Sequence, residues 1–199
     1  SDRKRERCPL CASVRLGPCL PLPNNPLLKC RDCGLCSTER LGSEQAVAEY
    51  YRGRIAHEGK LEDGDNRAAE MAASQAELLS HFIGSGPGKL LELGCAAGHL
   101  LSEMEGRGWQ CSGVELSEPS LNAARERMKG TLHLGTLADF DGSQASFDCI
   151  AAFDVLAHLT DPLGTLNQAA SLLRPGGWLV LSTVNEGWPL VPVFQRLFT

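Results

Sequence analysis

The sequence predicts an α/β fold in which a doubly wound, mostly parallel sheet follows a small cysteine-rich segment. Short apolar runs alternate with helical patterns from residue 67 onward, and a glycine-bearing turn follows the first apolar run. Strands that alternate with helices pair in parallel, and such sheets bind ligands at the carboxyl ends of their strands. Six of the nine cysteines lie within the first 36 residues of the 199-residue chain, which sets the N-terminal segment apart.

Three regions are predicted from composition. Residues 1–42 hold the cysteine cluster, residues 43–66 form a bridging helix and linker, and residues 67–199 form the sheet-bearing core. The bridging helix begins at a capping serine, Ser43, and carries Tyr50 and Tyr51. We expect these two tyrosines to pack against the core or to close over a bound ligand.

The core elements are predicted from periodicity and from turn residues. Residues 67–83 have apolar side chains at helical spacing and end in a glycine- and proline-rich turn. Strands are then expected at 89–93, 110–114, 131–134, 147–153 and 178–183, and helices at 98–106, 119–128 and 162–173. This alternation is typical of a Rossmann-like fold, with its ligand site where the strand order reverses.

The turn after the first strand carries an acidic residue and several small ones: Glu92, Gly94, Cys95, Ala96 and Gly98. A dinucleotide site requires glycines at positions 94, 96 and 99, and a P-loop requires Gly-Lys followed by Ser or Thr, so neither pattern is met. A carboxylate beside the free amides of a helix N-terminus suits a ligand that carries both an ammonium and a carboxylate.

Further candidate ligand-binding residues follow the next two strands. Glu115 lies 21 residues after Gly94, where an acid can accept hydrogen bonds from both ribose hydroxyls. The alternative is an acid that only favours the N-terminus of the following helix. Leu116 and Ser117 continue this turn, and Thr136 and Leu137 follow the third strand.

The fourth strand ends at Phe153 and Asp154 and is followed by a histidine, His158. Its position just beyond the carboxyl end of a middle strand suits a general base that removes a proton from a hydroxyl or an acidic carbon. The alternative is a histidine that hydrogen-bonds the backbone and shapes the pocket. Both roles remain open.

In this order, over residues 89–183, the motifs resemble those of the class I S-adenosylmethionine (SAM) methyltransferases. The acidic residue and glycine turn match motif I, with Ala96 where the family usually has glycine. The segment after the fourth strand resembles motif IV and its sequel, with Ala157 where the family often has glutamate. The resemblance implies SAM as the cofactor. The residues it assigns to SAM binding are Glu92, Gly94, Cys95, Ala96, Gly98, Glu115, Leu116, Ser117, Thr136, Leu137, Phe153 and Asp154.

The clustered cysteines form two C-x2-C pairs separated by 18 residues. This spacing predicts a zinc ribbon in a reducing compartment. Four thiolates fill the tetrahedron, so we expect a structural role for the metal. Cys19 and Cys36 are alternative ligands, and disulfides or free thiols are the alternative to a metal. The predicted zinc ligands are Cys8, Cys11, Cys30 and Cys33.

A zinc ribbon, a tyrosine-bearing bridge and a SAM core together resemble bacterial methyltransferases of sugar-, polyketide- or quinone-like small molecules. The resemblance implies O- or C-methylation, and His158 is the candidate catalytic residue, with its base and pocket-shaping roles both open. A net charge of −5 and the lack of an Asn-Pro-Pro-Tyr-type motif after the fourth strand make nucleic acid an unexpected partner. We expect a cytoplasmic protein without a membrane segment, since no run approaches the ~20 apolar residues required.

The class I sheet usually ends in two further strands, whereas this sequence ends soon after the fifth. We therefore expect the core to be incomplete at its C-terminus, with a missing C-terminal segment or a protein partner covering the sheet edge. The competing hypothesis for function is a non-catalytic, zinc-binding scaffold or interaction protein with a SAM-like fold.

Overall fold

The structure is a computed structural model that describes residues 3–41, 49, 62–84, 86–142 and 147–184. The predicted helix at Ser43, with Tyr50 and Tyr51, lies outside these residues. Residues 3–41 and 62–182 belong to two compact units, which are described in turn.

The N-terminal unit consists of short antiparallel strands. Strand β1 (Arg3–Lys4) pairs with β5 (Arg40–Leu41), and a three-stranded sheet has the order β2 (Leu16–Leu20), β3 (Leu27–Cys30) and β4 (Cys36–Thr38). Among the described residues of this unit, only Cys8 and Cys30 are buried apolar residues. So small a core cannot by itself offset the conformational entropy of folding.

The second unit is a five-stranded parallel sheet with helices on both faces. It begins with helix α1 (Glu62–Ile83). The strands are β6 (Lys89–Leu93), β7 (Gln110–Glu115), β8 (Thr131–Leu134), β9 (Phe147–Phe153) and β10 (Leu173–Ser182). The later helices are α2 (His99–Gly106), α3 (Glu118–Arg127) and α4 (Pro162–Leu172). Within the described ranges, no helix has the length and apolar composition needed to cross a membrane.

The strand order is β8-β7-β6-β9-β10, and every pairing is parallel. This confirms the predicted doubly wound, Rossmann-like fold. The direction of winding reverses between β6 and β9, because β7 and β8 lie on one side of β6 and β9 and β10 on the other. The carboxyl ends of these two central strands are therefore the expected ligand position.

Alternate residues of the central strands face opposite helical layers. Leu90 and Cys149 belong to an apolar cluster that also contains residues of α1, α2 and α3. Leu91 and Ile150 belong to a second cluster that contains residues of α4. All four side chains are fully buried. A strand buried on both faces is apolar at successive positions, which explains the continuous apolar runs in the sequence.

Two element boundaries differ from the predictions by more than one residue. Helix α1 begins at Glu62, five residues before the predicted start at 67. Its first turn is held by Asp65, whose carboxylate accepts a hydrogen bond from Arg127 and lies 2.9 Å from Nε2 of His99. Strand β10 begins at Leu173 rather than 178, with a register shift before Trp178. Both differences depend on contacts between distant parts of the chain.

Candidate functional site

The turn between β6 and α2 adopts three left-handed backbone conformations at alternate residues. Gly94, Ala96 and Gly98 have φ values of 68°, 45° and 76°. A Cβ on Gly94 would lie 2.6 Å from Cγ2 of Val155, and one on Gly98 would lie 2.9 Å from Cβ of Ala124. Both glycines are therefore required by φ and by close packing. Ala96 adopts the same region with a side chain, at a cost of about 1–2 kcal/mol.

The strained amide of Ala96 is used in a hydrogen bond to Glu115. It donates to Oε2 of Glu115 at 2.9 Å, and the amide of Ser117 donates to Oε1 of the same carboxylate at 2.8 Å. Glu115 is only 8% exposed. Its carboxylate thus joins the turn after β6 to the turn after β7, and each oxygen retains capacity for a further donor such as a ribose hydroxyl.

The residues that follow Glu115 begin helix α3. Leu116 is half-buried, and Ser117 is fully buried and caps the helix by accepting from the amide of Ser120 at 3.4 Å. The Ser117 oxygen thus serves as the acceptor of the helix cap.

Glu92 is the chemically unusual residue of this edge. It lies in β6, opposite Gly113 on β7 and Ala151 on β9. Glu92 is 6% exposed, and it and Glu115 are the buried acidic residues of the described structure. Its Oε2 atom has no hydrogen-bond partner within the part of the chain that the structure describes. Burial, together with the charge of Glu115, raises the pKa of Glu92 from 4.5 to about 8. A buried carboxyl oxygen without a partner is costly, and a cationic ligand removes that cost.

Cys95 contributes packing and backbone to the turn rather than a reactive sulfur. Burial, followed by the charges of Glu92 and Glu115, raises the pKa of its thiol far above the ordinary value. A Cβ on Gly113 would lie 2.6 Å from the sulfur, so the glycine provides the space that this side chain fills. The amide of Cys95 donates to the carbonyl of Val114 at 3.2 Å.

The turn after β8 lies beside Glu115, because the amide of Gly135 donates to the Glu115 carbonyl at 2.9 Å. The Thr136 amide and hydroxyl both bind Oδ2 of Asp139, at 3.0 and 2.7 Å, and these bonds lower the pKa of Asp139. Leu137 is buried and opens a short helical turn, Leu137–Asp139. The structure thus brings Thr136 and Leu137 to the same sheet edge as Glu115.

The end of β9 is fixed by a residue that sequence analysis did not identify. Phe153 is half-buried, and Asp154 is exposed with a left-handed φ of 57°. The Asp154 amide donates to Oγ of Ser182 at 2.9 Å, and that hydroxyl donates to Oδ1 of Asp154 at 2.9 Å. Ser182 is the last residue of the adjacent strand β10. Its position at the carboxyl end of a strand is the sequence feature that could have identified it.

His158 is exposed and ends the short helical turn Leu156–His158. Its amide donates to the carbonyl of Val155 at 2.9 Å. Val155 is the residue that packs against Gly94, so the segment bearing His158 adjoins the glycine turn through Val155. The contact of Val155 had no signal in the sequence.

A polar network also holds the glycine turn from outside. Arg127 donates to the Ala97 carbonyl at 2.6 Å and to Asp65 at 3.1 Å, and Asp65 lies 2.9 Å from Nε2 of His99. These residues were not predicted as site residues. They join helices α1, α2 and α3 at the start of α2, where the first amides lack partners within the helix and carry partial positive charge.

The sulfur atoms of the four predicted zinc ligands converge within 4.8 Å of one another. Cys8 and Cys33 sulfurs are 3.5 Å apart, and Cys11 and Cys30 sulfurs are 3.6 Å apart. Zinc–sulfur bonds of 2.3 Å in a tetrahedron give sulfur separations of about 3.8 Å. Hydrogen bonding by the Cys33 amide lowers the pKa of Cys30, whereas burial and the neighbouring thiols raise the pKa of Cys11 and of Cys33. Cys30 is therefore the thiol of this cluster most easily converted to the thiolate that a metal binds.

The two turns that carry these cysteines have the same backbone pattern. In each turn the amide of the first cysteine donates a hydrogen bond to the carbonyl five residues later. The Cys8 amide donates to Ser13 and the Cys30 amide to Leu35, both at 2.8 Å. In both turns the residue directly after the second cysteine has a left-handed backbone conformation: Ala12 after Cys11 and Gly34 after Cys33. Repetition of this pattern places two thiols on each turn in equivalent positions.

The alternative ligands Cys19 and Cys36 lie outside this cluster as far as the described residues extend, and their sulfurs are 3.3 Å from each other. They form a separate pair in the N-terminal unit.

Comparison with known proteins supplies the family. Residues 65–197 match a family model described as a methyltransferase domain. Among similar proteins is the ubiquinone biosynthesis O-methyltransferase of Thiobacillus denitrificans, 35% identical over 49% of this chain and 45% of the relative. That of Idiomarina loihiensis is 36% identical over 49% of this chain and 43% of the relative. The chain therefore spans less than half the length of these relatives.

Among solved structures, the plantazolicin methyltransferase BpumL in complex with a pentazolic desmethylPZN analogue and SAH has the same fold, with a TM-score of 0.51 and 17% identity. The match covers 71% of this chain and 53% of that one. Because the family model spans most of this chain, including the whole parallel sheet, the protein belongs to the methyltransferase family that it describes.

Proposed function

We propose that this protein is a SAM-dependent methyltransferase that acts on a small molecule. The observation that carries the proposal is the buried Glu92 carboxyl group, whose Oε2 atom lacks a partner in the described structure beside the strained glycine turn. Membership of the methyltransferase family supports it. The similar ubiquinone biosynthesis O-methyltransferases favour oxygen as the methyl acceptor, on a quinone-like molecule in preference to a sugar or a polyketide.

The residues present fit SAM at each of its charged and polar ends. Glu92 would bind the ammonium, and the first amides of α2 would bind the carboxylate. Glu115 would accept the ribose hydroxyls, with Thr136 and Leu137 beside the adenine. When bound, SAM supplies a sulfonium methyl group that a nucleophile can take by in-line displacement. The remaining assigned residues would line this site: Gly94, Cys95, Ala96, Gly98, Leu116, Ser117, Phe153 and Asp154.

Protonation of Glu92 is coupled to binding in this proposal. Because its pKa is about 8 in the free protein, the carboxyl group holds a proton at neutral pH. An ammonium favours the carboxylate, so the proton leaves when the ligand binds. The buried position keeps water away from this charge pair and strengthens it.

We assign His158 as the group that removes a proton from the methyl acceptor. Its segment adjoins the glycine turn through Val155. The expected effect of His158→Gln is a fall in kcat of about 10²- to 10⁴-fold with unchanged SAM affinity. Loss of the low-pH limb of the kcat profile supports general-base catalysis, whereas a raised acceptor KM with unchanged kcat indicates a pocket-shaping role.

We propose that Cys8, Cys11, Cys30 and Cys33 bind one structural Zn²⁺. Four thiolates leave no coordination position for water or substrate, so the metal has no direct part in methyl transfer. A reducing compartment such as the cytoplasm keeps these thiols available.

The exposed edge of the sheet suggests one further contact. In the described structure β10 is the end strand, and Trp178 and Leu181 on it are 47% and 38% exposed. Exposed apolar residues on an end strand favour coverage by a segment outside the described residues or by a partner.

Calorimetric titration of the zinc-replete chain with SAM and with its demethylated product tests the proposal. Both should bind. Glu92→Gln should weaken SAM binding about 10- to 100-fold, because a hydrogen-bonded charge pair is worth roughly 1.5–3 kcal/mol. Glu103→Gln is the matched control, since Glu103 is exposed on α2, and it should bind normally. Failure of the wild-type chain to bind either compound would contradict the proposal and favour a scaffold role.

A further inference from the structure

A second pair of thiols lies in the N-terminal unit, apart from the four-cysteine cluster. Cys19 belongs to β2 and Cys36 to β4, the two strands that flank β3. Their sulfurs are 3.3 Å apart. Cys19 is exposed and Cys36 is half-buried, so reagents in solution can reach the pair.

The surroundings of this pair favour bond formation between the sulfurs over metal binding. Among the described residues, no third His, Cys, Asp or Glu groups with Cys19 and Cys36 to make a metal site. Two ligands occupy only half of a zinc tetrahedron. The three cysteines of the sheet unit differ, because each is buried and burial raises each pKa; they are Cys95, Cys111 and Cys149.

We propose that Cys19 and Cys36 form a reversible disulfide when the protein meets a hydroperoxide. One thiolate attacks the terminal oxygen of hydrogen peroxide, the O–O bond breaks, and the departing hydroxide takes a proton to leave as water. The second thiol then attacks the resulting sulfenic sulfur, and a second water leaves. Both sulfurs are oxidised, the peroxide supplies both oxygens of the two waters, and a dithiol reductant restores the pair.

This bond would join β2 to β4 across β3. The loop it closes contains Cys30 and Cys33, so it constrains the second cysteine-bearing turn without using a cluster cysteine. Oxidation is therefore expected to leave the four-cysteine cluster intact. The bond itself is independent of the proposed methyltransferase activity and of the metal.

The direct test exposes the zinc-replete chain to one equivalent of hydrogen peroxide, blocks remaining thiols with N-ethylmaleimide and maps the peptides by mass spectrometry. The expected product has lost two hydrogen atoms, contains a Cys19–Cys36 cross-link, retains its zinc and reverts with dithiothreitol. Full alkylation of Cys19 and Cys36 after oxidation would overturn the proposal. A cross-link among the cluster cysteines with release of zinc would also overturn it.

Single variants provide a second readout that does not depend on the cross-link. In Cys36→Ser, peroxide should convert Cys19 to a sulfenic acid that dimedone traps, and no intramolecular cross-link should form. Ser37→Ala, at the neighbouring position of β4, should cross-link as the wild-type chain does. A Cys36→Ser protein that still loses two hydrogen atoms within one chain would contradict the assignment.

Discussion

The N-terminal unit and the sheet unit differ in what holds them together. Among the described residues, the only buried apolar residues of the N-terminal unit are two cysteines. The sheet unit has two extensive apolar clusters, one on each face of its sheet. Each nevertheless contains acidic groups suited to a cation, four converging thiols in one and Glu92 in the other. In the first unit the cation would hold the fold together. In the second, the fold is stable enough to hold a strained ligand site.

Removal of the metal should have the largest effect and should separate the two units. Zinc binding to four-cysteine sites contributes roughly 10–16 kcal/mol at neutral pH, so a strong chelator should unfold the N-terminal unit. The amide resonances of residues 3–41 should lose dispersion in a heteronuclear NMR spectrum, and those of 62–182 should remain dispersed. Unchanged spectra of the N-terminal unit, with metal loss verified by elemental analysis, would contradict this account.

Glu92→Gln should stabilise the free protein while weakening SAM binding. The folded pKa of about 8 exceeds the ordinary 4.5, so wild-type stability falls as pH rises from 4.5 to 8. Glu92→Gln has no proton to lose there, so its free energy of unfolding should exceed that of the wild type by about 3 kcal/mol at pH 7 and equal it near pH 4. Thermal unfolding across this pH range measures the gain, with Glu103→Gln as control. A lower melting temperature at every pH would show that Glu92 is not a buried, destabilising acid.

Gly94→Ala should destabilise the sheet unit by about 2 kcal/mol, from the left-handed φ and from contact with Val155. Gly106→Ala is the matched control, because a Cβ there meets no atom within 4 Å. Denaturant unfolding measures both variants. In a Val155→Ala background, Gly94→Ala should cost less stability, because the part of the loss caused by contact with Val155 is removed. If Gly94→Ala and Gly106→Ala unfold at the same denaturant concentration, the close packing inferred at Gly94 is wrong.

Asp148→Asn should have the smallest effect, about 1 kcal/mol at neutral pH. The Lys89 amide donates to the Asp148 carboxylate at 2.7 Å, and this bond, followed by Arg174, lowers the pKa of Asp148. A lowered pKa stabilises the fold above the ordinary value of 3.8, and the contribution is lost as pH falls through the folded pKa. Variant and wild-type stabilities should therefore converge in acid. A constant difference at all pH values would assign the effect to packing.

The sheet was predictable because its information is local. Alternating apolar runs and turns define strands and helices, and handedness rules then limit the strand orders that are possible. The order itself is given by the structure. The start of α1 was not predictable, since Asp65 is held by Arg127, which is 62 residues away in the sequence. The irregular beginning of β10 also depends on pairing with β9.

The site was predictable where one short segment carries the chemistry. Glu92 and the glycine turn lie within seven residues, and Glu115 follows at a characteristic spacing. Val155 and Ser182 were missed, because apolar contact and a hydroxyl at a strand end have no distinctive sequence pattern. The raised pKa of Glu92 also required the fold, since it arises from burial.

The most direct test of the central claim is the number of protons released when SAM binds. Calorimetry at about pH 6.5 in buffers of different ionisation enthalpy measures it, and the ligand ammonium stays charged because its pKa is near that of other α-amino groups. The wild-type chain should release close to one proton, and Glu92→Gln should release almost none. Binding without proton release by the wild-type chain, or equal release by both proteins, would contradict the assignment of the buried Glu92 to the ammonium.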